Sequence, residues 1–571
     1  MNTITGKRLS YYAVGAALAV AAFFAYSFLT LSAPLMSNSP DENANHVFAV
    51  GFAETGMLHR VEPLNLELDG AVHPRSVKVV DNLQVPGGFV GLPLIFGALG
   101  KAVGTMNIPL LTPVFALLGV LTWGLLMRRL FGNTVGACAA FLLAVNPAWW
   151  YWSARSMMPN VPFLSLVLIA ACFFVVRPFG TAVERRGLEG LHLLRNADYA
   201  LAGIFAGLAL AVRPPELYWL ALAAVVAAVV VRRLPWKGIA VAAVFLAMTM
   251  APFLMLNLSL YGGVLSTGYG DVAATVSDEA HQGMGARLLG PLRPVLFPLG
   301  FAPRTALANF WTYGLKFFWW WTAVVAASGV YLAYLRRKAP CTAETSRRVG
   351  VLLAVSAAVA IWLVPFYGSY VISDNSDPSA VTIGSSYFRY WLPLFVLSTA
   401  PVAAAAARLL ETKRRGITIA VLIAAAALLS IASGAAVFGA PQEGLSAVRA
   451  SLVDNLAKRE VILEMTEPDA IVIAERSDKI IYPERAVIYP LRDEHTYALL
   501  PKAISMRPTY YFGITFPEKD MQYLREVKLP PLGVTIEPVV TMGEETLYRF
   551  GLAGAEAQSD SQEDAQYGAY E

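Results

Sequence analysis

The sequence predicts an all-α polytopic membrane protein of about eleven spans, with a small α/β domain outside the membrane. Three observations predict it. Apolar and aromatic residues make up 56% of the 571 residues and charged residues only 15%, against about 25% charged in an ordinary soluble protein. The apolar residues come in long runs, such as 217–231, 238–256 and 417–438, which is how a membrane span reads. From 441 onward charges become frequent and apolar runs shrink to strand length. This excludes a soluble enzyme, a disordered chain and a disulfide-stapled secreted module, and the net charge of +4 gives no reason to expect nucleic acid as a partner. Cys138, Cys172 and Cys341 suggest neither a disulfide nor a metal clip.

The spans are expected near 11–33, 107–127, 135–152, 161–176, 199–213, 216–231, 238–257, 313–335, 349–367, 389–408 and 417–438. The first apolar run, at about 20 residues, is longer than the core of a signal peptide and reads as an uncleaved anchor. Every second connection is basic, from Lys7 and Arg8 to Arg408, Lys413, Arg414 and Arg415. The three short connections on the other side hold one arginine each: Arg155, Arg213 and Arg389. The positive-inside rule then places the N-terminus in the cytoplasm and the C-terminus outside. The expected division is a transmembrane module over 1–440, with outer loops 34–106 and 258–312, an extracytoplasmic α/β domain over 441–551, and a disordered acidic tail over 552–571. Within the α/β domain, strands are expected at 470–474, 486–489, 510–515, 534–540 and 546–550, and helices at 443–466 and 517–528.

The first outer loop carries the chemistry-bearing residues. Asp41 and Glu42 stand where the first span leaves the membrane, just ahead of an amphipathic helix expected over 46–56. Acids at that point can cap the helix. They also suit a proton acceptor, or a divalent metal site, beside the bilayer where a lipid-linked substrate would lie. The two roles are compatible, since a capped helix holds its carboxylates still. Pro86-Gly87-Gly88-Phe89 follows, leading into an apolar half-helix that ends near Gly100. His46, His59 and His73 share the loop without a spacing that marks zinc. The Trp149, Trp150, Tyr151, Trp152 cluster reads as an interfacial belt, and Arg213 as a snorkelling cation.

These residues resemble, in order and placement, the GT-C class of multi-span glycosyltransferases, among them protein O-mannosyltransferases and lipid A aminoarabinose transferases. The resemblance rests on Asp41-Glu42-Asn43, on Pro86-Gly87-Gly88-Phe89, on Asn146-Pro147 with Ala154-Arg155 and Pro159, and on Arg389-Tyr390-Trp391-Leu392-Pro393. It covers residues 1–410. Asn160 stands where the family often has an acid, and Gly87 where it has a second proline. The resemblance implies a polyprenyl-phosphate-sugar donor and an extracytoplasmic glycan, lipid or protein acceptor, in a prokaryotic plasma membrane. It implies Asp41 as the base, with Glu42 assisting it or ligating a metal. Arg389, Arg155 and Tyr390 would hold the donor phosphate, and Asp81 would be a second acid. Asp41 and Arg389 would then face one outer pocket.

A transporter or flippase of lipid-linked glycans is the alternative, and a scaffold acting through its outer domain a third. The expected spans keep their charges near their ends, which disfavours an ion-coupled carrier. Ser266-Thr267-Gly268-Tyr269-Gly270-Asp271 looks like a potassium-channel filter. Its flanks, 257–263 and 272–284, offer neither a pore helix nor a following span. It reads instead as a glycine-rich loop over a cavity.

Overall fold

The long apolar runs fold as helices, and several stop where the sequence provides a stop. Thr105–Phe131 ends in Arg128 and Arg129 ahead of Gly132. Trp236–Tyr261 ends at Gly262, whose φ of +74° suits glycine. The structure is a computed structural model that describes residues 2–177, 192–231, 234–270, 300–338, 342–372, 377, 379–412 and 415–553.

The span count departs from the sequence expectation. Among the described residues six helices, not eleven, are long and apolar enough to cross a membrane: Thr105–Phe131, Pro214–Val231, Trp236–Tyr261, Ala343–Gly368, Leu392–Leu409 and Arg415–Gly439. A seventh is counted if Pro303–Lys316 and Trp319–Lys338, bent by 87°, form one span. The other expected spans coincide with shorter apolar helices. The run expected as one helix over 135–152 is interrupted. Asn133–Ala144 stops, and Asn146 then caps a second helix, Pro147–Ala154. The Asn146 side chain accepts from the Trp149 N–H, and Pro147 sits at a first-turn position where a missing N–H costs nothing. Hydropathy runs through this break, but the backbone does not. The expected span 11–33 is divided likewise, into Asn2–Tyr26 and Phe28–Ser32.

The chain forms two compact units. The first comprises Met1–Ser32, Phe89–Phe96 and Met106–Arg449; the second comprises Ala33–Gly88, Gly97–Thr105 and Ala450–Glu571. In the first unit, Thr105–Phe131 and Leu392–Leu409 are buried over much of their length, whereas Trp236–Tyr261 and Arg415–Gly439 bury few residues. Apolar helices exposed on most sides are the ones that face lipid. Gly91 packs against the backbone at Ala211, and a Cβ there would lie 2.1 Å from the Ala211 carbonyl oxygen. Only glycine allows that approach.

The second unit holds two sheets. The small one pairs β1 (Arg60–Val61), β3 (Leu83–Pro86) and β2 (Val77–Val80) in antiparallel order β1-β3-β2. The larger one contains β4 (Ile471–Ala474), β5 (Ala486–Ile488), β6 (Thr509–Ile514), β7 (Val534–Met542) and β8 (Glu545–Leu552), in the order β5-β4-β6-β8-β7. β4 is parallel to β5 and β6, and β8 is antiparallel to β6 and β7. These strands match the five expected from sequence. The helix Glu494–Met506 was not expected. The expected helix over 517–528 starts as Glu518–Tyr523 and loosens into a π turn, Leu524–Lys528.

The unit boundary differs from the expected division at 440. Leu68 and Val72, from the segment 34–106, are fully buried in the core formed by Ile471, Ile473, Ile488, Leu500, Tyr511 and Phe550. Val72 also makes a β-bridge to Ile488. This stretch folds with the C-terminal α/β segment because its apolar residues complete that core. Residues 554–571, most of the expected tail, lie outside the described residues.

Candidate functional site

In the first unit, Asn146 and Pro147 start the helix that delivers Trp149, Tyr151 and Trp152 to the interior. All three are essentially inaccessible, so the expected interfacial belt is instead a packed aromatic core. Arg155 ends this helix, and its backbone N–H donates to the Tyr151 carbonyl. Arg155 is buried, its Nη1 donates to the Tyr151 hydroxyl at 3.0 Å, and its guanidinium lies 5.6 Å from the Trp152 ring centroid.

Arg389 stands on the same indole. It belongs to the short helix Ser386–Tyr390, and its guanidinium is 5.6 Å from Trp152 and 5.1 Å from Tyr390. Nε donates to Ser386 Oγ at 2.9 Å, Nη1 to Met158 Sδ at 3.1 Å, and Nη2 to the Tyr390 hydroxyl at 3.4 Å. Asn160 donates to the Arg389 carbonyl at 3.1 Å. Asn160 therefore holds the arginine's backbone. Of the sequence candidates, Arg389, Arg155 and Tyr390 are brought together here.

Arg213 is not the snorkelling cation expected. It is buried and pairs with buried Glu216 at 2.8 Å. Its guanidinium lies 5.1 Å from the Tyr390 ring, on which Tyr367 also stacks at 4.2 Å. Glu216 Oε1 further accepts from the Tyr367 hydroxyl at 2.6 Å, and Oε2 accepts from the Trp219 indole N–H. Glu216, Tyr367 and Ser386 were missed from sequence. The three-residue spacing of Arg213 and Glu216 was the available signal. Phe89 of the Pro-Gly-Gly-Phe segment packs edge-on to Tyr269 of the glycine-rich loop at 4.9 Å. Residues 271–299 of that loop lie outside the described residues.

Guanidiniums over aromatic faces are oriented by cation–π attraction while their N–H groups remain donors in a plane. Such donors match phosphate oxygens in geometry as well as charge.

In the second unit, the acidic segment begins the helix Pro40–Thr55, earlier than the expected start at 46. Ser39 caps it. Its Oγ accepts from the Glu42 N–H, and Glu42 Oε2 accepts from the N–H of Ser39 at 3.1 Å and of Asn38 at 2.8 Å. Glu42 is thus committed to a capping box. Asp41 points elsewhere and accepts from the Ser76 hydroxyl at 2.7 Å. Asp81 is the exposed first residue of the two-residue turn between β2 and β3, where Asp81 and Asn82 have φ of 49° and 63°. Both tolerate such angles in a hairpin turn. Strand β2 separates Asp81 from Ser76, a reach of about 13 Å for four extended residues, so the structure gives Asp81 a turn role and does not bring it to Asp41.

Beside Asp41, Arg75 pairs with fully buried Asp478 at 2.6 Å. Burial opposes the Arg75 charge, but the hydrogen bond and charge of Asp478 outweigh it and raise its pKa. His73 is pushed below its ordinary pKa by desolvation, against the Pro74 carbonyl and the Asp478 charge. Among the described residues no three His, Cys, Asp or Glu side chains converge on a metal site.

No protein-family profile matches this chain, and no curated protein matches it. Solved structures do. The crystal structure of ArnT from Cupriavidus metallidurans in the apo state superposes with a TM-score of 0.54 at 12% identity, over 96% of this chain and 99% of that one. The same protein bound to undecaprenyl phosphate gives 0.54 and 12%, over 95% and 98%. The apo oligosaccharyltransferase of Archaeoglobus fulgidus gives 0.50 and 13%, over 89% of this chain and 70% of that one. At these identities the likeness is one of fold: this chain has the fold of the GT-C membrane glycosyltransferases.

Proposed function

We propose that this protein is a membrane glycosyltransferase that moves a sugar from a polyprenyl-phosphate donor to an acceptor outside the cytoplasm. One observation carries the reading: Arg389 and Arg155 stand over a single indole, Trp152, with Tyr390 hydrogen-bonded to Arg389. Two oriented guanidiniums on a protected aromatic floor suit a phosphate monoester. The fold shared with ArnT, crystallised bound to undecaprenyl phosphate, supports it.

In the reaction the acceptor hydroxyl attacks the anomeric carbon and Asp41 takes its proton. The bond from that carbon to the phosphate oxygen breaks, and its electron pair stays on the phosphate. The leaving group is polyprenyl phosphate, whose added charge Arg389 and Arg155 stabilise as it develops. Tyr390 orients Arg389, and Glu42 holds the helix that carries Asp41.

The test is binding of undecaprenyl phosphate to the detergent-solubilised chain. Arg389→Ala should weaken it about ten- to a hundredfold, the loss of one charge-assisted contact of about 1.5–3 kcal/mol. Arg389→Lys should recover only part, since an ammonium lacks the planar fork. Unchanged affinity in Arg389→Ala refutes the phosphate role. A flippase would bind the same lipid, so the reaction itself separates the readings: a transferase releases undecaprenyl phosphate from an undecaprenyl-phosphate sugar, and a flippase returns it intact. For orientation, a reporter that works only after export, fused after Ala440, should be active. Activity of a cytoplasmic reporter at that point would invert the topology.

A further inference from the structure

Asp41, Glu42 and Asn43 are consecutive, and each side chain has a different partner. Glu42 closes the capping box, Asp41 accepts from Ser76, and Asn43 reaches the C-terminal α/β segment. The Asn43 amide donates to the carbonyls of Tyr482 at 3.0 Å and Lys479 at 3.3 Å. Lys479 Nζ returns a bond to the Asn38 carbonyl at 2.6 Å. The start of the acidic helix is therefore tied on both flanks to residues 478–482.

The same few residues hold the other side of Asp41. Asp478 accepts from the Arg75 backbone N–H at 2.8 Å, and from its Nε and Nη2 at 3.1 and 2.6 Å. Arg75 Nη2 also donates to the Arg476 carbonyl at 2.9 Å, and the guanidinium lies 5.5 Å from the Tyr489 ring. Asp478 and Tyr489 follow the carboxyl ends of the parallel strands β4 and β5. That edge is where open α/β sheets usually take a ligand. In this chain the edge takes Arg75, and the next residue, Ser76, donates to Asp41.

We propose that the short helix Asp478–Ile481, with Tyr482 after it, is a clamp that positions the Asp41 carboxylate, and that Asn43, Arg75, Ser76 and Asp478 are positioning residues for transfer. The proposal rests on the reading of Asp41 as the base. Through this clamp the motif-free C-terminal segment acts in catalysis, holding rigid the first turn of the helix that presents the carboxylate.

Ser76 allows a clean test because its φ is +61°. Glycine is at ease there, so Ser76→Gly removes the hydroxyl without straining the backbone. With an undecaprenyl-phosphate pentose or hexose that the full chain consumes, Ser76→Gly should lower kcat about ten- to a hundredfold, as a misplaced group does. The KM for the donor and the melting temperature should not change. Unchanged kcat in Ser76→Gly, where Asp41→Asn is inactive, overturns the clamp and leaves the base standing. A second readout needs no turnover. In the full-length detergent-solubilised chain, Asp478→Asn should speed amide hydrogen exchange at 39–48 and 75–78 by about tenfold, with β6 and β8 still protected. Unchanged exchange, or equal loss of protection in β6 and β8, overturns the clamp. If Asp41→Asn keeps full turnover, the base assignment falls, and the exchange result still decides whether residues 478–482 hold these segments.

Discussion

Asp41→Asn is expected to abolish measurable transfer. A positioned general base contributes about 10²–10⁴ in rate, and the amide cannot take the acceptor's proton. The substitution leaves the surroundings nearly untouched. Asn keeps the volume, and its amide oxygen can still accept from Ser76, which donates to Asp41 at 2.7 Å. The capping box that starts the helix uses Ser39 and Glu42, not Asp41. Expression, melting temperature and undecaprenyl phosphate binding should therefore match the wild type while the release of undecaprenyl phosphate from its sugar stops. Turnover within a few-fold of wild type would remove Asp41 from the mechanism. Loss of lipid binding together with turnover would mean that Asp41 serves the donor site rather than the acceptor.

Glu216→Ala should be the most damaging single change for the first unit. Glu216 is 3% exposed and accepts from Arg213, from Tyr367 and from Trp219. Its removal leaves a buried guanidinium without its counter-charge, and a phenol and an indole N–H without their acceptor. Breaking a buried ion pair from one side costs about 3–5 kcal/mol, because the surviving charge stays desolvated. The variant should melt well below wild type, or fail to accumulate. Converting both partners, Arg213→Met with Glu216→Met, should recover most of the loss, since apolar groups of similar volume often replace a buried pair at little cost. A double variant no more stable than Glu216→Ala would show that packing, not charge, sets the stability here. Lipid binding should also weaken in Glu216→Ala, because Arg213 and Tyr367 both pack on Tyr390, the partner of Arg389.

Much of this site was legible in the chain, for reasons that differ by residue. Arg389-Tyr390 and Ala154-Arg155 stand out because basic residues are sparse on that side of the spans, and the structure brings both arginines to Trp152. The break at Asn146-Pro147 is legible as a cap followed by proline, yet the uninterrupted hydropathy reads as one span. The same error applies to 11–33, also divided in the structure, whereas Asn160–Val176 is a single helix that is simply short; among the described residues six helices, or seven with the bent pair, reach spanning length. Asp81 has a turn role that the sequence reading passed over. An acid beside an asparagine between two strands is first of all a hairpin turn, and the strands became evident only in the fold.

Features that depend on neighbours a few residues away were readable in the chain: the apolar helices, the acids at a helix start near Asp41 and Glu42, and the five strands of the C-terminal sheet. Only the tertiary structure decided which of these segments meet. Arg75 finds Asp478 across 403 residues, Asn160 finds the Arg389 carbonyl across 229, and Leu68 and Val72 complete a core built by the C-terminal strands. The physical reason is that hydropathy, capping and turn propensity act within one or two turns of chain, whereas a long-range partner is chosen by the free energy of packing whole elements. Local sequence carries no record of that choice.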